Sequence, residues 1–280
     1  MVKPAYDPIT TARLQYSEFV MDIATDLRTT GTQEIVSAMA DGRVTYLTQP
    51  VESIARAGRE LYRECLARMI DVDGCVQSPV SFIPELEAHG KIGLLDAHMI
   101  ELAMGHLAQT ENLVLGCNLS ADTIQAEATW KTIVSQIRAR PDLAPRLVLE
   151  ITETRPVVAF DTLTAHITEA RAAGCRVAID DFGAGFLSPA DLLKLKADII
   201  KIDASLLRTI RHRRNGTSTF QHIVGFALCN APIVVIEGVE EAEDVEISSE
   251  AGATHMQGYF IARPVLNRLQ RSGQNTSLHS

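Results

Sequence analysis

No stretch of the chain approaches eighteen consecutive apolar residues, and the opening MVKPAYDPITTARLQ lacks the apolar segment of a secretory leader. No membrane span and no export are expected, which makes the protein cytoplasmic on this reading. Paired cysteines are missing as well. The five, at 65, 75, 117, 175 and 229, form no CxxC, so structural zinc and a disulfide framework yield to buried free thiols. Nor is there an excess of positive charge: the formal net charge is -9, which gives DNA or RNA no general attraction. A small phosphate ester would have to be held by local cations. What is present is a chain of 280 residues, 46% apolar, long enough for one α/β barrel or two ordinary domains.

The pattern turns on Ala172 to Asp203, AAGCRVAIDDFGAGFLSPADLLKLKADIIKID. An apolar run from Cys175 to Ile179 ends on two adjacent carboxylates, Asp180 and Asp181. A glycine-rich turn, a short apolar-periodic segment and a second apolar run, Asp198 to Ile202, follow, the last interrupted only by Lys201. Strand, loop, helix and strand in that order make a βαβ unit of a parallel sheet. Function in such sheets gathers where strands end at their carboxyl edge. Two acids side by side at one strand end are costly unless a cation shares them, which points to a metal.

Upstream, helices are expected at 12–27 and 33–40, then a strand from Gly42 to Val51 stopped by Pro50. Residues 59–69, RELYRECLARM, are ambiguous: composition favours helix, the order of elements favours strand. Pro84 is expected to start a short helix closed by Gly90, and Leu94 to Leu107 to form a longer one. Leu113 to Asn118 reads as strand, with Ser120 as N-cap of the next helix in competition with Asp122. Ile124 to Arg140 reads as helix, Leu147 to Ile151 as strand, Phe160 to Ala173 as helix closed by Gly174. Thr219 to Asn230 and Ala242 to Ala251 are helical, Ile233 to Ile236 and 254–256 are strands, and the tail from Arg271 is polar. About eight strands alternate with helices. Nearly all the strands end on Glu64, Asn118, Glu150, Asp180 with Asp181, Lys201, Glu237 or Gln257. A closed (β/α)8 barrel gathers those ends at one mouth; an open doubly wound sheet is the alternative, weakened by the lack of a GxGxxG.

Carboxylates and one amide, without imidazole or thiolate, suit Mg²⁺ or Mn²⁺ rather than zinc. More acids than one ion needs imply two ions, roughly 4 Å apart and bridged by one Asp, a pair suited to phosphoryl chemistry. Lys201 would hold the attacking hydroxide or neutralise phosphoryl oxygens; otherwise it pairs with one of the acids. Glu240, three residues after Glu237, would orient Lys201 or a water. Taken singly, Asp180, Asp181 and Glu237 could each be a helix cap or a surface acid.

These motifs resemble the EAL-domain family of bacterial cyclic di-GMP phosphodiesterases from about Thr45 to Pro264. The name-giving motif stands as Glu64-Cys65-Leu66, followed by SFIPELEAHG, CNLSADTI, LVLEITET, AIDDFGAGF with IIKID, VVIEGVEEAEDV and HMQGYFIARP. The resemblance implies a TIM-like (β/α)8 barrel over 42–266 with one antiparallel strand, which makes 59–69 a strand, between a helical extension at 1–41 and a tail at 267–280. It implies that Glu64, Asn118, Glu150 and Asp180 hold one metal and Asp180, Asp181 and Glu237 the second, as Mg²⁺ or Mn²⁺, with Ca²⁺ inhibitory. Catalysis would fall to Lys201, Glu237, Glu240 and Glu64; substrate contacts to Arg68, Gln257 and Asp181; and steadying of the loop after Asp181 to Glu153. The implied reaction is hydrolysis of one 3′-5′ phosphodiester of cyclic di-GMP to linear pGpG, by a homodimer.

The chain departs from the family pattern at Cys65 and at Phe186-Leu187-Ser188-Pro189, where one loop hydroxyl is lost and Pro189 restricts the backbone. That leaves an alternative, a cyclic di-GMP receptor or protein-interaction module on a silent barrel. Nothing in residues 1–41 resembles a sensory module, so control would come from assembly or an unidentified regulatory protein. The basic run Arg211-His212-Arg213-Arg214 reads as a solvated loop rather than a nucleic-acid contact.

Overall fold

The computed structural model describes residues 30–152, 159–184, 187–210 and 216–266. The expected helix at 12–27, Glu153, Phe186, the basic run at 211–214 and the tail lie outside the described residues. The elements are α1 (Thr30–Ala40), β1 (Val44–Ser53), β2 (Glu60–Ile70), β3 (Val76–Gln77), α2 (Pro79–Ala88), α3 (Ile92–Leu107), β4 (Leu115–Ser120), α4 (Ala121–Gln125), α5 (Glu127–Arg138) and β5 (Leu147–Thr152). They continue with α6 (Phe160–Ala172), β6 (Arg176–Phe182), α7 (Pro189–Leu192), β7 (Ile199–Ile202), α8 (Ala204–Arg208), α9 (Thr219–Leu228), β8 (Ile233–Ile236), α10 (Ala242–Glu250), β9 (His255–Met256) and β10 (Val265–Leu266).

The sheet closes in the order β1, β2, β4, β5, β6, β7, β8, β9 and back to β1, which is a TIM-like barrel and excludes the open sheet. From β2 to β9 every neighbouring pair is parallel, while β1 runs antiparallel to both of its neighbours. Residues 59–69 are therefore strand despite their helix-forming composition, because β1 and β4 supply partners on both edges.

Several sequence-based expectations are corrected. Pro50 does not stop β1; it sits opposite Arg63, and on the other edge it falls between the pairing of residues 47–48 with β10 and 52–53 with β9. A missing N–H costs no ladder bond on that edge. Pro84 lies inside α2, which starts instead at Pro79 behind Ser78, with proline in the first turn where its missing N–H is harmless. The single helix expected from Ile124 to Arg140 is two, broken where Ala126 turns extended at φ -86, ψ 96. Ser120 wins the N-cap over Asp122, its hydroxyl accepting from Thr123 N.

Helix α1 packs into the barrel body. Ile35, Val36, Ala38 and Met39 are buried in the main core between strands and helices, the larger ones each worth roughly 1.5–3 kcal/mol. A second, smaller cluster fills the barrel interior: Val51, Tyr62, Val148, Ala178, Ile199 and Val235, one each from β1, β2, β5, β6, β7 and β8. No helix among the described residues is long and apolar enough to cross a membrane.

Candidate active site

The interior cluster fixes the site above it. Side chains two apart on a strand share a face, so Tyr62 is followed inside the barrel by Glu64, Val148 by Glu150, Ala178 by Asp180, Ile199 by Lys201 and Val235 by Glu237. On β1, which runs the other way, the interior residue is preceded by its partner in the layer, so Val51 is matched by Gln49. One polar layer thus rests on one apolar layer. For β2 that layer lies in mid-strand, because the strand continues from Glu64 to Ile70 instead of ending at the acid.

Lys201 stands at the centre, fully buried. Its Nζ lies 2.7 Å from Glu150 Oε2, 2.8 Å from Glu237 Oε1, 2.9 Å from Asp180 Oδ1 and 3.5 Å from Glu64 Oε2. Burial alone would depress its pKa, but Asp180, Glu150, Glu237 and Glu64 outweigh that and raise it well above the usual value, so it stays charged. One ammonium cannot balance these acids. Burial, with Glu64 and Asp180 nearby, pushes Glu150 up to about 8, and burial with Asp180 and Glu64 pushes Glu237 well above the carboxylate range. Asp181 is raised to about 6 by burial and by Asp180. Glu64 goes the other way: burial opposes its charge, but Lys201 and amide donors from Asn118 and Gln257 hold its pKa below the usual value.

Local backbone explains how Asp180 and Asp181 both reach the mouth. Consecutive strand residues face opposite sides, but β6 loses register between Ile179 and Phe182, and Asp181 adopts a left-handed φ of 54°. Aspartate tolerates that region better than most residues. Asp181 N donates to Asp180 Oδ1 at 3.0 Å, tying the two together.

Ligand oxygens of Glu64, Glu150 and Asp180 all lie within 4.8 Å of one another, and so do those of Asp180, Asp181 and Glu237. Asp180 belongs to both groups. Asn118 Nδ2 donates to Glu64 Oε1 at 2.7 Å, while its Oδ1 is buried without a partner and available as a further ligand. Hard oxygen donors, surplus negative charge and an orphaned amide oxygen fit divalent cations such as Mg²⁺ or Mn²⁺.

The remaining expected residues divide. Gln257 Nε2 donates to Glu64 Oε2 at 2.6 Å, a positioning contact that leaves its buried Oε1 for a ligand. Arg68 turns back to donate to the carbonyl of Ala67 at 2.7 Å and does not enter the acid layer. Glu240 is exposed and pairs with Arg208 at 3.4 Å, and it lines a second cavity together with Glu64, Glu237 and Gln257, while four other carboxylates surround Lys201. Two residues were missed. Tyr62 Oη donates to Glu150 Oε2 at 3.0 Å, and Gln49, opposite Glu64 in register, donates through Nε2 to the carbonyl of Ala262 at 3.1 Å. The two-residue period from Glu64 back to Tyr62 was the signal for the first.

Beside the acid layer, a cavity of about 350 Å³ opens against α2 and α3, lined by Leu66, Pro79, Ile83, Leu95 and Met99 as well as by the acids. An apolar wall next to a layer of acids suits a ligand with an apolar part and a part that is cationic or carried by bound cations. In the altered loop, Ser188 caps α7 in a capping box with Asp191, and Pro189 occupies the first turn. The proline is thus absorbed by a helix start and not by strain.

Residues 32–264 match the family described as EAL domain. Cyclic di-GMP phosphodiesterase PdeF of Escherichia coli (strain K12) is 30% identical over 210 residues, 73% of this chain and 28% of that protein. Probable cyclic di-GMP phosphodiesterase PdeA of the same organism is 28% identical over 234 residues, covering 82% and 32%. The chain thus spans less than a third of the length of these relatives. Among solved structures, the PaMucR phosphodiesterase in its c-di-GMP complex superposes with a TM-score of 0.73 at 22% identity, covering 86% of this chain and 100% of that one. The FimX EAL domain from Pseudomonas aeruginosa bound to c-di-GMP gives 0.73 at 22% identity, covering 85% and 97%. The barrel fold is shared with both of these solved structures.

Proposed function

The chain belongs to the EAL domain family, and from that premise we propose that it hydrolyses one 3′-5′ phosphodiester of cyclic di-GMP to linear pGpG, with two divalent cations per site. The observation that carries this reading is the complete layer of Glu64, Asn118, Glu150, Asp180, Asp181 and Glu237 around Lys201. Glu64, Asn118, Glu150 and Asp180 would hold one cation, and Asp180, Asp181 and Glu237 the other. Bound Mg²⁺ or Mn²⁺ would supply Lewis-acid charge to the phosphoryl group and lower the pKa of the attacking water; Ca²⁺ should inhibit.

The chain's own residues have defined parts in this reading. Lys201, permanently charged, is a hydrogen-bond donor to the oxygens on which negative charge develops and not a base. Gln257 and Asn118 fix the Glu64 carboxylate from two sides, and Tyr62 fixes Glu150. Water adds to phosphorus in line with the 3′ oxygen, which leaves and takes a proton. Arg68 would swing from its backbone carbonyl to a phosphate, which its planar fork suits. Glu240 would act from the rim, and Glu153 on the loop after Asp181. Assembly as a homodimer belongs to the same reading, and sedimentation checks it.

Incubation with cyclic di-GMP and Mn²⁺ should give pGpG, and Glu64→Ala or Glu237→Ala should abolish it. Binding without turnover at micromolar enzyme would sink the hydrolase and leave the receptor. The altered loop 186–189 is what favours that second reading. Tight binding of cyclic di-GMP in calorimetry without divalent ions would mark a receptor.

A further inference from the structure

Cys65 and Cys117 stand in register on the neighbouring parallel strands β2 and β4. Both are free and buried, at 2% and 0% exposure. Each is the chain neighbour of a residue of the polar layer: Glu64 precedes Cys65, and Asn118 follows Cys117. Those two are joined by the 2.7 Å hydrogen bond. Because strand residues alternate faces, the thiols lie on the outer side of the barrel wall, directly behind the acid layer. Cys65 also lines the cavity of about 350 Å³ that opens at the mouth, which gives a small uncharged molecule a route to this part of the wall. Cys117 Sγ lies 3.9 Å from the carbonyl of Met99, another residue of that cavity.

We infer that Cys65 and Cys117 form an oxidative modification site, closed by a small hydroperoxide to a disulfide that displaces Glu64 and Asn118. One thiol gives up its proton as its sulfur attacks the peroxide, the O–O bond breaks, the departing oxygen takes the proton, and a sulfenic acid forms with release of water or alcohol. Burial, which holds the Cys65 thiol well above its usual pKa, makes this step slow. The second thiol sulfur attacks the sulfenic sulfur, the S–S bond forms and water leaves. Two thiols lose two electrons and two protons; one peroxide gains them.

Geometry makes this bond feasible and strained. Paired residues on neighbouring strands stand about 4.8 Å apart, inside the ~4.4–6.8 Å window of Cα separations in disulfides, whereas the β carbons must close to ~3.8 Å. The strands are drawn together by about 1 Å at this level, and the backbone of Glu64 and Asn118 moves with them. A strained disulfide is readily reduced, so the change is reversible. Its effect on turnover rests on the proposed function; its formation does not.

The test uses the full chain with Cys75→Ser and Cys229→Ser, which removes the two exposed thiols. Hydrogen peroxide should lower the intact mass by about 2 Da, the loss of two hydrogens in disulfide formation, and non-reducing peptide mapping should find Cys65 joined to Cys117. Mn²⁺ affinity by calorimetry should fall about tenfold or more, turnover should fall with it, and dithiothreitol should restore both. Cys65→Ala, with Cys117→Ser as a second variant, should show no cross-link and no peroxide-dependent change relative to its own untreated sample. A mass gain of about 16 or 32 Da, the addition of one or two oxygens without a cross-link, or a linked protein with unchanged Mn²⁺ affinity, overturns the inference. If the reduced protein neither binds Mn²⁺ nor turns over, the proposed function fails, while the mass and mapping still decide the disulfide.

Discussion

Tyr62 reaches Glu150 over the top of Gly116: its Oη donates to Glu150 Oε2 at 3.0 Å although β4 separates their strands. The contact is possible because Gly116 has no side chain. Phenylalanine at 62 keeps the ring in the apolar layer and removes only the donor. Tyr62→Phe should lose about 0.5–1.5 kcal/mol of stability in urea, the range for a hydrogen bond to a carboxyl group that burial keeps largely protonated at neutral pH. Its Mn²⁺ affinity should fall as well. Unchanged stability and affinity would mean that Lys201 alone fixes Glu150.

Gly116 itself admits no substitution. A Cβ there would overlap Glu150 Oε1 and approach the Tyr62 ring to 2.6 Å. Gly116→Ala should therefore destabilise by about 1–3 kcal/mol through overpacking and disorder the Glu150 carboxylate. Thermal denaturation with and without Mn²⁺ reads both effects, and a folded variant with normal Mn²⁺ affinity would show that Glu150 can move aside.

Lys201→Met keeps the volume and removes the charge from among four carboxylates. Breaking a buried ion cluster in this way costs about 3–5 kcal/mol when the partners stay buried. Added Mg²⁺ should recover most of that loss, because the acids then regain a counter-charge. Turnover should drop about 10²–10³-fold, the scale for removing one donor to developing charge. Near-normal turnover would remove Lys201 from the catalytic set.

Asp96 predicts a pH dependence. Burial raises its pKa to about 6, and its Oδ2 accepts from Ser120 N at 2.9 Å and Thr123 Oγ1 at 2.6 Å. Since the folded value exceeds the unfolded 3.8, the folded state holds the proton more tightly. The associated stability is fully present below pH about 4 and is lost as pH rises through about 6. Asn at this position can accept both hydrogen bonds through its carbonyl without a charge. Asp96→Asn should match the wild type near pH 4 and exceed it by about 3 kcal/mol near pH 7, for a shift of about two pKa units. A gap that is constant across that range, measured by urea denaturation, would rule out the ionisation.

Much of this architecture was legible in the sequence. The acids and Lys201 betrayed the mouth because a charge on an otherwise apolar strand is costly without a partner, and so many polar strand ends favoured a closed barrel over an open sheet. Local pattern failed where tertiary partners decide. The helix-forming 60–70 is held as strand by β1 and β4, and Pro50 survives in a strand because its other edge is open at that point. Tyr62 escaped notice because a tyrosine among apolar residues reads as core until a buried carboxylate is found beside its hydroxyl. The exposed position of Glu240 could not be read from its spacing to Glu237, since the intervening Gly238 turns left-handed at φ 59° and breaks the strand period.

The reversed direction of β1 has a mechanical consequence. Val44, its first residue, is paired with Met69 near the far end of β2, so the turn from α1 into β1 arrives at the rim that carries the acids. Arg43 fastens that corner by donating to the carbonyl of Ile70 at 2.7 Å. In a barrel whose first strand ran with the others, the entering chain would meet the opposite end. Here the chain enters β1 at the acid-bearing rim, opposite Met69 and five residues along β2 from Glu64, so the same strand that closes the barrel also ties its entry point to the wall of the site.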